Sequence, residues 1–151
     1  MAFNITASLQ NVQSKLSAGG YFAGGVLIGE PKSPPGTRFT AAIFMNSVNV
    51  PRTVLNALEE VHVVNIRVYD NMLHSPAEDI EIEMSVVLSD LLNDLASDFD
   101  LGGTVRAIDF AGMYGSGLSV KWGYVDVGGT MYRIADVNLP LILVAGATVT
   151  A

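Results

Sequence analysis

Cysteine is absent from all 151 residues, which leaves the chain without a disulfide framework or a thiolate metal site. Basic residues are scarce: eight Lys and Arg, scattered singly, against fifteen Asp and Glu, for a formal charge of −7 and a pI near 4.5. A nucleic-acid clamp neutralises phosphates with clustered Lys and Arg, and no such cluster occurs. Of the two histidines, His62 lies inside an apolar alternating segment, and His74 has only Asp70 and Glu78 loosely nearby. Neither makes the convergent constellation that zinc binding or acid–base catalysis requires. No apolar run is long enough for a bilayer span, because 139–151 is too short and is broken by Pro140, Gly146, Thr148 and Thr150. The opening MAFNITASLQNVQSKL lacks the basic-then-apolar order of a secretory signal, so the Asn4-Ile5-Thr6 acceptor pattern reads as accidental.

What the chain does have is apolar content, with 50% hydrophobic and only 15% charged residues and a mean hydropathy of +0.39. A protein of 16.0 kDa exposes roughly 7,000 Å² when folded and buries about two-thirds of its unfolded surface in one core. One domain, 1–151, is therefore expected. This composition is more apolar than a small monomer needs, which predicts apolar surface reserved for a partner.

Ile5, Leu9, Val12 and Leu16 recur at helical spacing over 6–19, and Gly19-Gly20 ends that helix. YFAGGVLIGE reads as a strand. The proline-rich segment 30–38 cannot continue a sheet and forms a stiff loop. Strands are predicted over 37–50, closed by Pro51, and over 61–69, where VHVVNIRVY alternates. Ser75-Pro76-Ala77-Glu78 then predicts an N-cap, a first-turn proline and a capping box. The following helix carries Ile80, Met84, Val87, Leu88, Leu91, Leu92 and Leu95 on one face, with Glu81, Glu83, Asp90, Asn93 and Asp94 mostly opposite.

After Gly102-Gly103, strands are predicted over 104–110, 118–127, 131–137 and 139–144, the middle two joined by Gly128-Gly129 as a type I′ hairpin. The expected architecture is α+β, a mainly antiparallel sheet covered by two helices in the order α-β-β-β-α-β-β-β.

No motif carries chemistry. Negative charge at Glu78, Asp79, Glu81 and Glu83 suits the start of a helix. Asp94, Asp98 and Asp100 lack the glycine and terminal glutamate of a calcium loop. Gly112, Gly115 and Gly117 lie between strands, without the helix amino terminus of a phosphate cradle, and read as a flexible loop. Phe110, Trp122, Tyr124 and Tyr132, with Lys121, Arg106 and Arg133, form a conceivable base-stacking platform, which the acidic whole opposes.

The acidic capped helix, the segment ASDFDLGGTVRAIDFAG and the β block SVKWGYVDVGGTMYRIADVNLPLIL together resemble the tail terminator proteins of long-tailed (siphovirus-type) bacteriophages, particularly those infecting actinobacteria. The likeness covers the second half of the chain and, through the element order, loosely the rest. It implies a non-enzymatic virion protein, assembled in the host cytoplasm, that forms a homo-hexameric ring on the tail tube, ends tail polymerisation and presents a surface to the head–tail connector or stopper protein. DNA would pass through the ring without specific binding, and no cofactor, metal or membrane is implied.

On that reading the expected oligomer interface is the terminal segment 139–151, apolar on both faces through Leu139, Leu141, Ile142, Leu143 and Val144. Ending the chain before Leu139 is then expected to abolish rings before helix content. The expected lumen or inter-ring surface comprises Lys32, Arg38, Glu81, Glu83, Asp90 and Asp94. Competing readings are another head–tail connector ring protein, a tail tube subunit, or a small ligand-binding or enzymatic α+β domain with 112–117 as its lid.

Overall fold

A computed structural model describes residues 4–32, 35–36, 39–54, 57–73 and 75–145, and the backbone alone of 52–54, 57–58 and 145. In chain order the elements are α1 (Ile5–Gly19), β1 (Val26–Ile28), β2 (Thr40–Val54), β3 (Ala57–Asn71), α2 (Ala77–Ala96), β4 (Ala107–Ile108), β5 (Ser119–Val127) and β6 (Thr130–Ala145). The fold is α+β, with two helices and a six-stranded, mostly antiparallel sheet.

Both helices have local causes. Asn4 caps α1, its Oδ1 accepting from the Ala7 N–H at 3.1 Å, and Gly20 ends it in the left-handed conformation at φ 75°. Helix α2 begins one residue later than its sequence predicts. Pro76 sits at φ −59°, ψ 150°, outside the helix, so it is the N-cap and brings no side-chain cap. Its carbonyl instead accepts the first helical bond, from the Ile80 N–H at 3.1 Å.

The strands run in the order β1-β2-β3-β6, with β5 and β4 following one another along the far side of β6. Only β1 pairs in parallel, Val26 to Ile28 against Ala41 to Ile43. It is far shorter than YFAGGVLIGE, and β4 far shorter than 104–110. By contrast, β2 passes through Pro51, the residue expected to close it. Pro51 falls in a register shift between Asn49 and Arg52, where a bulge tolerates a residue without an N–H.

The two predicted strands 131–137 and 139–144 are one, β6, paired with β3 without a break through Asn138 and Pro140. The Pro140 carbonyl accepts from the Asp109 N–H at 3.0 Å, on the β4–β5 side. A residue's N–H and C=O point to the same neighbour in an antiparallel strand, so the missing donor falls in the gap between β5, whose first residue lies opposite Asn138, and β4, whose last residue lies opposite Leu141. The β5–β6 hairpin turns at Gly128 and Gly129, both at positive φ as a two-residue primed turn requires.

Period-two alternation places Val64, Ile66 and Val68 of β3 and Ala135, Val137, Leu139 and Leu141 of β6 under the helices. There they meet Val12 and Leu16 of α1 and Met84, Leu88, Leu91 and Leu95 of α2. The opposite face is half apolar. Tyr69 and Tyr132 pack edge to face at 5.9 Å, and Arg67 forks onto Asp136 at 2.7 and 3.1 Å while lying over Phe44.

The expectation for the terminal segment meets this geometry directly. Leu139, Leu141 and Ile142 are buried in the subunit's own core, and β6 has strand partners on both sides, so it offers no edge there. Of the five named residues Leu143 and Val144 keep partial exposure, and 146–151 lie outside the described residues. Leu141→Ala should therefore cost about 2–5 kcal/mol in urea unfolding, and a chain ended before Leu139 should lose helix signal and cooperative unfolding together.

Candidate functional site

Three polar side chains stand where the alternation expects apolar ones. Glu60 and His62 share a face with Val64, Ile66 and Val68 of β3, and Ser8 lies one turn before Val12 and two before Leu16 on the buried stripe of α1. All three are essentially inaccessible. Ser8 Oγ is 2.7 Å from His62 Nδ1, and His62 Nε2 is 2.6 Å from Glu60 Oε1. The imidazole thus links α1 to the sheet with one ring nitrogen on each side. Glu60 Oε2 has no hydrogen-bond partner among the described residues.

This chain of contacts forms the floor of a cavity of about 170 Å³, whose walls include Asn4, Ala7, Asn11, Thr104, Leu143 and Val144. Its connectivity resembles a nucleophile–base–carboxylate relay, but Ser8 is 0% exposed and held in the second turn of α1. An acyl-transfer nucleophile must present its oxygen to a carbonyl beside an oxyanion site. A polar tether with one unmet acceptor is the arrangement present.

The residues expected at a lumen or inter-ring surface are not on one face. Glu81 forks onto Arg133 of β6 at 3.0 and 3.2 Å, and Arg133 stacks over Tyr124 of β5 at 4.4 Å. On the α1 side of α2, Asp94 accepts from Lys15 at 3.0 Å and from the Tyr21 hydroxyl at 3.2 Å, and the Asp90 carbonyl accepts from Tyr21. Glu83 is half-buried, and the Asp90 carboxylate and Lys32 are exposed. Arg38 and His74 lie outside the described residues. The acids thus flank the buried stripe on both sides, and the outward ridge of α2 carries Ile82, 57% exposed, and Val86, 55% exposed, beside the exposed Ser85 and Ser89.

Lys15 also lies 2.9 Å from Asp98, whose Oδ1 accepts from the Gly102 N–H. Hydrogen bonds from Lys15 and then from Gly102 hold the Asp98 carboxyl below its usual range. The aspartate run is therefore a helix-end anchor.

The aromatic residues do not make a platform, because Tyr132 is buried on the face away from the helices while Trp122 and Tyr124 point to the helix side of β5. The glycine loop is tightly packed where a flexible one was expected. A Cβ on Gly112 would come within 2.4 Å of the Gly115 carbonyl, and one on Gly117 within 2.2 Å of the Phe110 carbonyl. Asp109 accepts from the N–H groups of Met113 and Tyr114, and the Tyr114 hydroxyl bonds Glu59.

Two edge strands, β1 and β5, lie on opposite flanks of the sheet and carry exposed apolar side chains. At the β1 edge Leu27 is 41% exposed, with Ile28 beside it; at the β5 edge Tyr124 is 60% exposed, with Trp122 beside it. Among the described residues no strand pairs with the outer side of either. Gln13 blunts part of the β1 edge by donating to the Val26 carbonyl at 2.9 Å. No family profile matches the sequence, and no curated protein matches it.

Two measurements probe these contacts. His62→Ala leaves two buried polar groups without their shared partner and should cost about 3 kcal/mol or more, whereas Ser8→Ala should cost about 1 kcal/mol; chemical denaturation gives both. A carboxyl with a lowered folded-state pKa stabilises the protein above its unfolded pKa and loses that contribution as pH falls through the lowered value. Lys15→Gln should therefore flatten the decline of Tm from about pH 5 downward relative to wild type, as followed by circular dichroism.

Proposed function

We propose that this chain is a ring-forming structural subunit of a phage tail, in the role of a tail terminator. The observation that carries the proposal is the set of exposed apolar residues on two edge strands, Leu27 and Ile28 on β1 and Trp122 and Tyr124 on β5, at opposite flanks of one subunit. Two different patches on opposite sides invite head-to-tail contact, which closes into a ring when the rotation per subunit permits and otherwise extends as a filament. The sequence resemblance supplies the biological role. Copies would close as a hexamer on the tail tube, stop its growth and receive the head connector.

Acidity supports the same reading. Six subunits of charge −7 attract no phosphate, so DNA could pass without being retained. With Glu81 and Asp94 engaged to cations of their own subunit, a lumen charge would come from other acids, such as the exposed Glu78, Asp79 and Asp126.

Negative-stain electron microscopy over a concentration series should show closed rings with a central hole wider than a DNA duplex. Filaments would favour a tube subunit, and monomers at every concentration, even with tube tips supplied, would count against the proposal. Leu27→Glu and Trp122→Glu should each weaken assembly about tenfold or more by placing a charge in an apolar contact. Mixing the two variants should restore association only as far as dimers, because each retains one intact edge; recovery of full rings from the mixture would exclude a head-to-tail contact between these edges.

A further inference from the structure

We propose that the cavity above Glu60 binds a primary alkylammonium group, with Glu60 as its counter-ion. A buried carboxylate oxygen without a donor is costly unless a donor arrives from elsewhere. Glu60 Oε2 is such an oxygen, itself closed to solvent, and Glu60 lines a cavity of about 170 Å³, large enough for an alkylammonium head and part of its stem, which reaches the oxygen with a small shift of the cavity wall.

The lining selects among cations. Glu60 Oε1 is already engaged by His62 Nε2 at 2.6 Å, so the two-oxygen fork that suits a guanidinium is unavailable. One carboxylate oxygen, the Asn11 side-chain amide and the Thr104 hydroxyl, which donates its own hydrogen to the Leu101 carbonyl, offer separate acceptors to the three N–H bonds of an ammonium. Leu143 and Val144 provide apolar wall for the methylene stem. His62 is the positioning residue, fixing the Glu60 carboxylate through Oε1 while Ser8 fixes the ring.

The same chemistry can arrive as a free amine or as a lysine of another copy of this chain. Lys32 and Lys121 are the described basic residues with no ion pair in their own subunit. The second source rests on the ring reading; the first does not.

The probes are n-butylammonium chloride and, at matched ionic strength, tetramethylammonium chloride, which has the charge but no N–H. The His62 ring resonances of the full chain and its Tm are the readouts. Butylammonium should give a saturable shift and a rise in Tm, and tetramethylammonium neither. Glu60→Gln should weaken binding about tenfold or more, the change expected for one lost charge-assisted hydrogen bond. Asn11→Ala, a substitution a helix accepts readily, tests the site should Glu60→Gln fail to fold.

If the free amine does not bind, the lysine source must carry the proposal: Glu60→Gln, or Asn11→Ala in its place, and one of Lys32→Gln or Lys121→Gln would each have to weaken ring assembly about tenfold or more. Equal responses to the two ammonium ions overturn the proposal, as does the absence of both amine binding and assembly that depends on this cavity. Saturable butylammonium binding by a chain that forms no rings would remove the ring reading and leave this site standing.

Discussion

The pairing of β3 with β6 runs in unbroken register from Leu58 opposite Ala145 to Asn71 opposite Tyr132, and the other elements take their places from it. One side of this ribbon receives β2 and then β1; the other receives β5 and β4 in succession. Because side chains alternate, the same register aligns Val64, Ile66 and Val68 with Leu139, Val137 and Ala135 into a single apolar floor, onto which both helices lay their stripes. A slip of one residue would turn Arg67 and Asp136 into that floor and expose the leucines. The ribbon joins segments far apart in the chain, a non-local contact that must close before its reward is felt in folding.

Charge and aromatic contacts fasten the layers at their margins. Glu81 with Arg133 and Tyr124 ties α2 to β6 and β5, and Lys15 with Asp94 and Asp98 ties α1 to α2. These pairs are partly exposed and individually weak. Their value is positional, since they leave the outward ridge of α2 with Ile82 and Val86 and the β5 edge with Trp122 and Tyr124 uncovered. Exposed apolar residues at these two places suit the subunit to association.

Ser8, His62 and Glu60 are the converse, polar side chains buried inside. A well-packed apolar substitute for such a cluster is often equally stable or more so. Retaining a carboxylate with an unmet oxygen beside a cavity therefore points toward a ligand that completes it, which is the link between the buried tether and the amine site inferred above.

By itself the sequence determined the two helices, the long alternating strands, the Gly128-Gly129 turn and the α+β class, because these rest on periodicity and turn chemistry within a few residues. Its errors are local signals overruled by long-range pairing. Pro51 stays within β2 because a bulge in the neighbouring ladder absorbs its missing N–H, and the break expected between 137 and 139 is bridged by continuous pairing with β3. The apolar run at Leu139 to Val144 shows that a segment is buried, but whether by its own sheet or by a neighbour depends on β3 and β4 arriving beside it.

Of the candidate site, only a trace was legible: Glu60 and His62 stand in phase with an apolar face, which marks them as buried polar groups. Ser8 falls on the stripe of a helix distant in sequence, and only the packing of α1 across β3 brings it to the imidazole. Strand pairing order likewise decided which apolar residues remain outside, since alternation assigns a residue to a face but cannot say which strand will be left at the edge.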